Sequence, residues 1–205
     1  MKLMSVDQSL SHCAVVIWAE DSSVPEAKYV IRTGSTSSTG KRDKDVMYFD
    51  TTIEQIMYIT GTICALFDEH KPDTYVMESL SMASIGNATR DLAGLFFCIQ
   101  AALVENYLSV TDLHEVAPTS VKAFARKFLP EEEQTYIKQR FDKKKDKMIE
   151  SVSKTEMKKP QMVQAAEIAE PGWISGMTLK AGKADLADAY FIGRVFLSKQ
   201  EAKSQ

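Results

Sequence analysis

Two short apolar runs open the chain. One spans residues 2–6, and the other, Ala14 to Ala19, is rich in β-branched side chains. The polar link Asp7-Gln-Ser-Leu-Ser-His12 between them predicts two strands joined by a tight connection, with Asp7 at the C-terminal end of the first. After the polar break from Glu20 to Glu26, a third strand is expected from Ala27 to Thr33. Sequential antiparallel pairing of these three is the economical arrangement. The stretch from Gly34 to Asp45 is rich in Ser, Thr and Gly and then charged, and it reads as an exposed loop without packed structure.

Helical periodicity takes over from Thr51 to His70, where Ile53, Ile56, Met57, Thr60, Ile63, Cys64 and Phe67 share one face. Lys71-Pro-Asp ends that helix, and Thr74 to Glu78 is a brief strand finishing on a carboxylate. A loop from Ser79 to Gly86 leads into a long helix from Asn87 to Leu108. A strand from Asp112 to Val116 precedes Pro118-Thr119, good helix-start residues, and that helix runs to Phe128. Glu131 to Lys159 is strongly charged and is expected to be helical, with a weak period. Residues 160–179 show no sustained period, and Lys183 to Leu197 form a final helix. With neither an internal repeat nor a linker, the pattern predicts one α/β domain over residues 1–205, with a basic helical insertion at about 131–182. Its sheet is mixed and five-stranded, three antiparallel strands followed by parallel ones, flanked by helices.

Composition narrows the class. A 205-residue chain that is 44% apolar and 26% charged can bury a sizeable core, and it contains no apolar run of about eighteen residues that would span a membrane. The N-terminus reaches Asp7 too soon for a signal-peptide core. Cys13, Cys64 and Cys98 are odd in number, unspaced for zinc and set among apolar residues. They suggest buried free thiols in a reducing compartment, a cytoplasm (the host's if the protein is viral). The net charge of −3 does not suggest wholesale nucleic-acid binding. Yet Lys138 to Lys159 holds nine Lys or Arg against four Asp or Glu, which leaves −8 on the rest of the chain. By itself that segment is equally a phosphate-contacting patch or a solvated face.

The candidate chemistry is carboxylate chemistry. Asp185 and Asp188 sit three apart in the first turns of the last helix and so share a face. Asp7 and Glu78 each end a strand, where open α/β sheets bind ligands. Four carboxylates converging there would repel one another unless cations intervened. Hard divalent ions with oxygen ligands answer that need, and Mg²⁺ suits a site that also takes a substrate phosphate. Two such ions roughly 3.5–4 Å apart clamp both the attacking and the leaving oxygens of a phosphodiester. The bland alternatives are an Asx-turn for Asp7, a surface Glu for Glu78 and helix capping for the two aspartates. His12, His70 and His114 are dispersed, and no glycine-rich phosphate loop occurs.

Asp7 after the first strand, Glu78 ending the fourth and Asp185-Leu-Ala-Asp188 opening the last helix resemble RuvC-type Holliday-junction resolvases of the RNase H-like superfamily. Ser5-Val-Asp-Gln-Ser-Leu-Ser-His resembles the family's first hairpin, and Val76-Met-Glu-Ser-Leu-Ser its acidic fourth-strand motif. Ala117-Pro-Thr-Ser-Val-Lys122 is similar to the segment that supplies a lysine near the scissile phosphate, and Lys143-Lys-Lys-Asp-Lys-Met148 resembles a later lysine element, with Lys145 as the match. The resemblance implies a Mg²⁺-dependent endodeoxyribonuclease, with Mn²⁺ as a substitute, that binds four-way DNA junctions and nicks two opposed strands. Asp7, Glu78, Asp185 and Asp188 would be the metal ligands, and Lys122 and Lys145 would hold the phosphate. It also implies a homodimer through the helix 87–108, and it tips the basic segment toward phosphate contact and salt-dependent binding. The chain departs from the family pattern in having Ser81 where many members carry a stacking aromatic, Gln8 where Pro is common, and a longer insertion. Two other readings keep the fold: a catalytically silent branched-DNA-binding module, and a nuclease for RNA or RNA–DNA hybrid. An actin-like ATPase would need phosphate loops and a second domain.

Overall fold

β1 (Leu3–Asp7) explains the architecture, because its first four residues are buried and it needs cover on both faces. The computed structural model describes residues 1–203 apart from 21, 39–40, 81–85 and 143–145. In it β1 pairs antiparallel with β2 (His12–Trp18), and β2 pairs antiparallel with β3 (Pro25–Ser35). On its other edge β1 runs parallel to β5 (Thr74–Glu78), which is parallel to β6 (Leu113–Val116). A three-residue strand, β4 (Met47–Phe49), lies parallel to the end of β3, so the order is β4-β3-β2-β1-β5-β6.

The mixed α/β sheet is the expected one, with six strands among the described residues rather than five. The added strand is too short to show a period, and its partner is the end of β3, which runs two residues beyond the expected stop at Thr33. The loop between β3 and β4 is not free of packed structure either, since Arg32 bonds Asp43 and Asp43 N–H donates to Tyr48 Oη.

Helices cover both faces. α1 (Thr52–His70) and α2 (Asn87–Asn106) close over Met4, Val6, Val15, Ile17, Tyr75 and Met77. The Thr51–Glu54 capping box starts α1, each residue's side chain bonding the other's backbone N–H. The opposite face, with Leu3, Ala14, Val16, Trp18 and Val76, is covered by α3 (Pro118–Arg126), α4 (Lys159–Ala169) and α5 (Lys183–Lys203). Cys13 is buried as expected, Cys64 is half-buried and Cys98 is exposed, because it falls on the outward side of α2.

The segment expected to form a charged helix folds as a two-stranded hairpin, β7 (Thr135–Asp142) and β8 (Lys147–Lys154). Its period is two, not 3.6: Ile137 faces Val152 and Phe141 faces Met148 on one side, and Lys138 and Arg140 lie on the other. The charges between them masked the alternation. A 3-10 turn, Glu131–Glu133, precedes the hairpin, and an α-helix follows it in α4, where Pro160 suits the first turn. No helix among the described residues is long and apolar enough to cross a membrane.

α5 approaches β1 and β2 unusually closely. Ser5 Oγ–H donates to the Ala189 carbonyl (2.8 Å), and Trp18 Nε1–H donates to Ser5 Oγ (2.8 Å). Gly193 makes this possible, since a Cβ there would stand 2.4 Å from the indole nitrogen of fully buried Trp18. Gly193→Ala therefore forces α5 away from the sheet. It is expected to destabilise the protein by about 1–3 kcal/mol, the usual range for overpacking a tight core. A denaturant midpoint that falls at constant slope would show this, and an unchanged midpoint would refute it.

Candidate active site

The strand register brings the first two carboxylates together. Val6 pairs with Met77 in the parallel β1–β5 ladder, so the next residues, Asp7 and Glu78, are neighbours at the carboxyl edge. Adjacent strands lie about 4.8 Å apart, which fixes the scale of their separation. Gln8 fastens the two ends: its Nε2–H donates to the Glu78 backbone carbonyl (2.7 Å). The sequence showed Gln8 only as a departure from the usual Pro, yet a proline could not make this bond. Among the described residues the buried Gln8 Oε1 has no donor.

α5 brings the other pair. Gly182 precedes it in the left-handed region, with φ of 90°, and a Cβ there would meet Val30 Cγ1 at 2.6 Å. The turn into α5 thus presses on β3, while the Ser5–Ala189 bond holds the helix on β1. Asp185 is buried at 8% exposure and Asp188 is half-buried. The two belong to one electrostatic cluster with Asp7 and Glu78, in which Asp7 feels Asp188, Glu78 and Asp185 in that order.

Burial and this crowding dominate the site's electrostatics. Burial first, then the charges of Asp188, Glu78 and Asp185, hold the Asp7 carboxyl well above the usual carboxylate range. Burial, with Glu78 and Asp185, pushes Asp188 up to about 7. Burial also raises Glu78, an effect that Lys122 opposes. The charge of Lys122, on α3, thus acts on this cluster, and it opposes the rise of Asp188 as well. Lys145 and Ser81 lie outside the described residues.

Lys159 is the residue the sequence reading missed. It opens α4 and its Nζ donates to Asp185 Oδ1 at 3.1 Å. The available signal was Lys158-Lys159-Pro160: proline marks a helix start, and a cation in a first turn opposes the macrodipole unless an anion faces it.

The donor set fits a hard divalent cation. It consists of carboxylate oxygens, two of them burdened by neighbouring charge that a cation would relieve. The groups are gathered but not preset: among the described residues, no three His, Cys, Asp or Glu side chains are already spaced as ligands of one ion. Lys159 supplies positive charge to Asp185 in this arrangement.

A stability consequence follows from the raised values. Asp188 binds a proton more tightly folded than unfolded, so its contribution is fully present below about 4 and is lost as pH rises through about 7. In chelator, thermal stability should decline between those limits, and Asp188→Asn should flatten that decline. Parallel profiles for the two proteins would contradict this account.

No protein-family model matches the sequence, and no curated protein matches it. Solved structures do match in fold. RuvC of T. thermophilus in complex with a Holliday junction substrate superposes with a TM-score of 0.60 at 10% identity, over 98% of this chain and 96% of that one. The yeast mitochondrial Holliday junction resolvase Ydc2 gives 0.55 at 16% identity, over 97% of this chain and 78% of that one. The fold of this chain is therefore the RuvC-type, RNase H-like fold that these proteins share.

Proposed function

We propose that the chain is a metal-dependent endodeoxyribonuclease that resolves four-way DNA junctions by paired nicks. The observation that carries this reading is the gathering of Asp7, Glu78, Asp185 and Asp188 at one sheet edge with Lys122 and Lys159 beside them. A module that only bound DNA would gain nothing from four carboxylates that repel phosphate. The fold shared with a RuvC bound to a Holliday junction and with a mitochondrial junction resolvase supports branched DNA over RNA or hybrid.

Asp7, Glu78, Asp185 and Asp188 would hold Mg²⁺, two ions in the fullest form, with Mn²⁺ as a substitute. When bound, such ions polarise the phosphate and lower the pKa of the attacking water. The protein's own part is orientation and charge. Gln8 keeps the two strand ends in register, and Ser5 and Gly193 hold the α5 carboxylates against them. Lys122 and Lys159 would take up the negative charge that builds on the scissile phosphate. Their ammonium groups also offset the cluster's own charge. The hairpin presents Lys138 and Arg140 from one exposed face, a surface suited to duplex phosphates.

Paired nicking calls for two copies, and α2 offers a face for them. Phe97, Ala101 and Val104 recur at i, i+4 and i+7 and are exposed, Phe97 at 61%. A helix wholly buried within one copy would leave no such stripe. Phe97→Glu should convert a dimer to a monomer by light scattering, and a parent protein that is already monomeric would overturn this part.

The central test is strand cleavage of an immobile four-way junction, a matched duplex and an RNA–DNA hybrid, with Mg²⁺, Mn²⁺ or chelator. Symmetric, metal-dependent nicks in the junction are expected. Asp7→Asn should lower the rate by on the order of 10³-fold or more, and Lys159→Gln by roughly 10². Hybrid cutting would keep the site and change the substrate. Tight junction binding with no cutting under any metal would leave a binding module.

A further inference from the structure

A second charged feature lies two strands from β1, and its sign is opposite. The β3–β4 loop and the turn before α5 enclose a cavity of about 380 Å³ lined by Lys41, Arg42, Asp43, Lys44 and Lys180. Its single carboxylate is already engaged. Arg32 Nη2–H donates to Asp43 Oδ2 at 2.8 Å, and Lys180 Nζ stands 3.2 Å from the same oxygen. These cations hold the Asp43 carboxyl well below the usual carboxylate range. Asp45 lies 4.0 Å from Arg32, so among the described residues named at this corner five cations face two anions, in a chain whose net charge is −3.

The loop is braced to hold this arrangement. Asp45 N–H donates to Asp43 Oδ1, Asp43 N–H donates to Tyr48 Oη, and the Arg42 guanidinium lies 5.3 Å from the Tyr48 ring centroid. Lys180 is fixed from behind, where His12 Nε2–H donates to its carbonyl (3.3 Å). Arg32 Nε is buried with no acceptor among the described residues. Lys41, Arg42 and Lys44 therefore ring an opening whose inner charges are settled, while among the described residues none of the three pairs with a carboxylate.

Sheet register sets the scale of the separation between Asp7 and Arg32, whose guanidinium holds the cavity's Asp43. Asp7 pairs with Ala14 on β2, and His12, two residues along, pairs with Arg32 on β3. Two strand spacings and two residue rises put Arg32 on the order of 12 Å from Asp7, backbone to backbone. That equals the axial length of about three to four nucleotides of a duplex strand.

We propose that this cavity binds a phosphate group, namely a backbone phosphate of the substrate strand a few nucleotides from the scissile bond. The assignment of a backbone phosphate rests on the nuclease reading above; the phosphate chemistry does not. Solvated lysines on a loop would be the bland account, but they need no engaged carboxylate, no braced loop and no common opening.

The test compares the parent chain with Lys41→Gln/Arg42→Gln/Lys44→Gln, whose side chains are exposed and whose thermal unfolding serves as a folding control. Binding to a four-way junction is measured in chelator over a range of salt, and backbone amide shifts at residues 41–44 and 180 are followed on adding inorganic phosphate. The variant should bind more weakly, with a salt slope shallower by about one to two, as the loss of one or two phosphate contacts requires. Phosphate should shift the parent's cavity amides. An unchanged slope with phosphate-induced shifts would overturn the backbone assignment and leave a site for a free phosphate compound. An unchanged slope with no shifts would overturn the proposal altogether. A parent that neither binds nor cuts branched DNA, yet shows the shifts, would retain the cavity and sink the nuclease reading instead.

Discussion

Four carboxylates share the end of one sheet only if the rest of the fold holds them against their repulsion. Here that restraint is mechanical as well as electrostatic. α5 is clamped to β1 by a buried hydrogen-bond chain from Trp18 through Ser5 to the Ala189 carbonyl, and Gly193 permits an approach that any side chain would block. The aspartates sit one and two turns ahead of Gly193, so every contact made by the helix also fixes their position. Burial and repulsion then raise Asp7 and Asp188, storing a demand for positive charge at that edge.

The parts of this design that were legible in the sequence are those written in short-range pattern. Asp7 and Glu78 close apolar runs, so strand assignment alone placed them at the same edge. The three-residue spacing of Asp185 and Asp188 put both on one helix face. What escaped was written in long-range contact. Lys159 is 26 residues from Asp185, and only the folding of the hairpin between α3 and α4 returns it to the site. Gln8 looked like a simple departure from a family pattern until its bond to the Glu78 carbonyl appeared. The hairpin itself was hidden because lysines and acids interrupt an alternation of Ile137, Phe141, Met148 and Val152. β4, at three residues, is below the length at which any period can be read.

The hairpin's departure from the expected helix changes what the basic segment can do. A charged helix packed on the domain would spread its lysines over a surface. A two-stranded ribbon projects them, with the base tied down where Arg126 Nε–H donates to the Thr155 carbonyl and Thr155 N–H donates to that of Gln134. Five residues beyond β8, the same chain supplies Lys159 to Asp185, which links the base of the arm to the acidic cluster. The ribbon's other side leaves Ile137 and Val152 exposed at 66% and 75%, an amphipathic character that a solvated helix would not need.

Charge is thus zoned more sharply than the net value of −3 suggests. An acidic centre that on its own would repel a polyanion has Lys122 and Lys159 acting on it, the β3–β4 cavity two strands from β1, and a basic hairpin whose chain continues to Lys159. On the proposed function, such zoning would solve a problem inherent in carboxylate-based phosphoryl chemistry. The groups that would hold metal ions repel the substrate, so attraction must come from cations placed far enough away not to neutralise the ligands. Screening supports that separation, because at about 8–10 Å physiological salt weakens exposed charge pairs while a bound phosphate still feels its immediate cations. Arg32 lies two strands from Asp7, whereas Lys159 pairs directly with Asp185 at 3.1 Å and the charge of Lys122 acts on Glu78 and Asp188. On the proposed function, the near lysines would serve the reacting phosphate, and the distant cations would hold the strand.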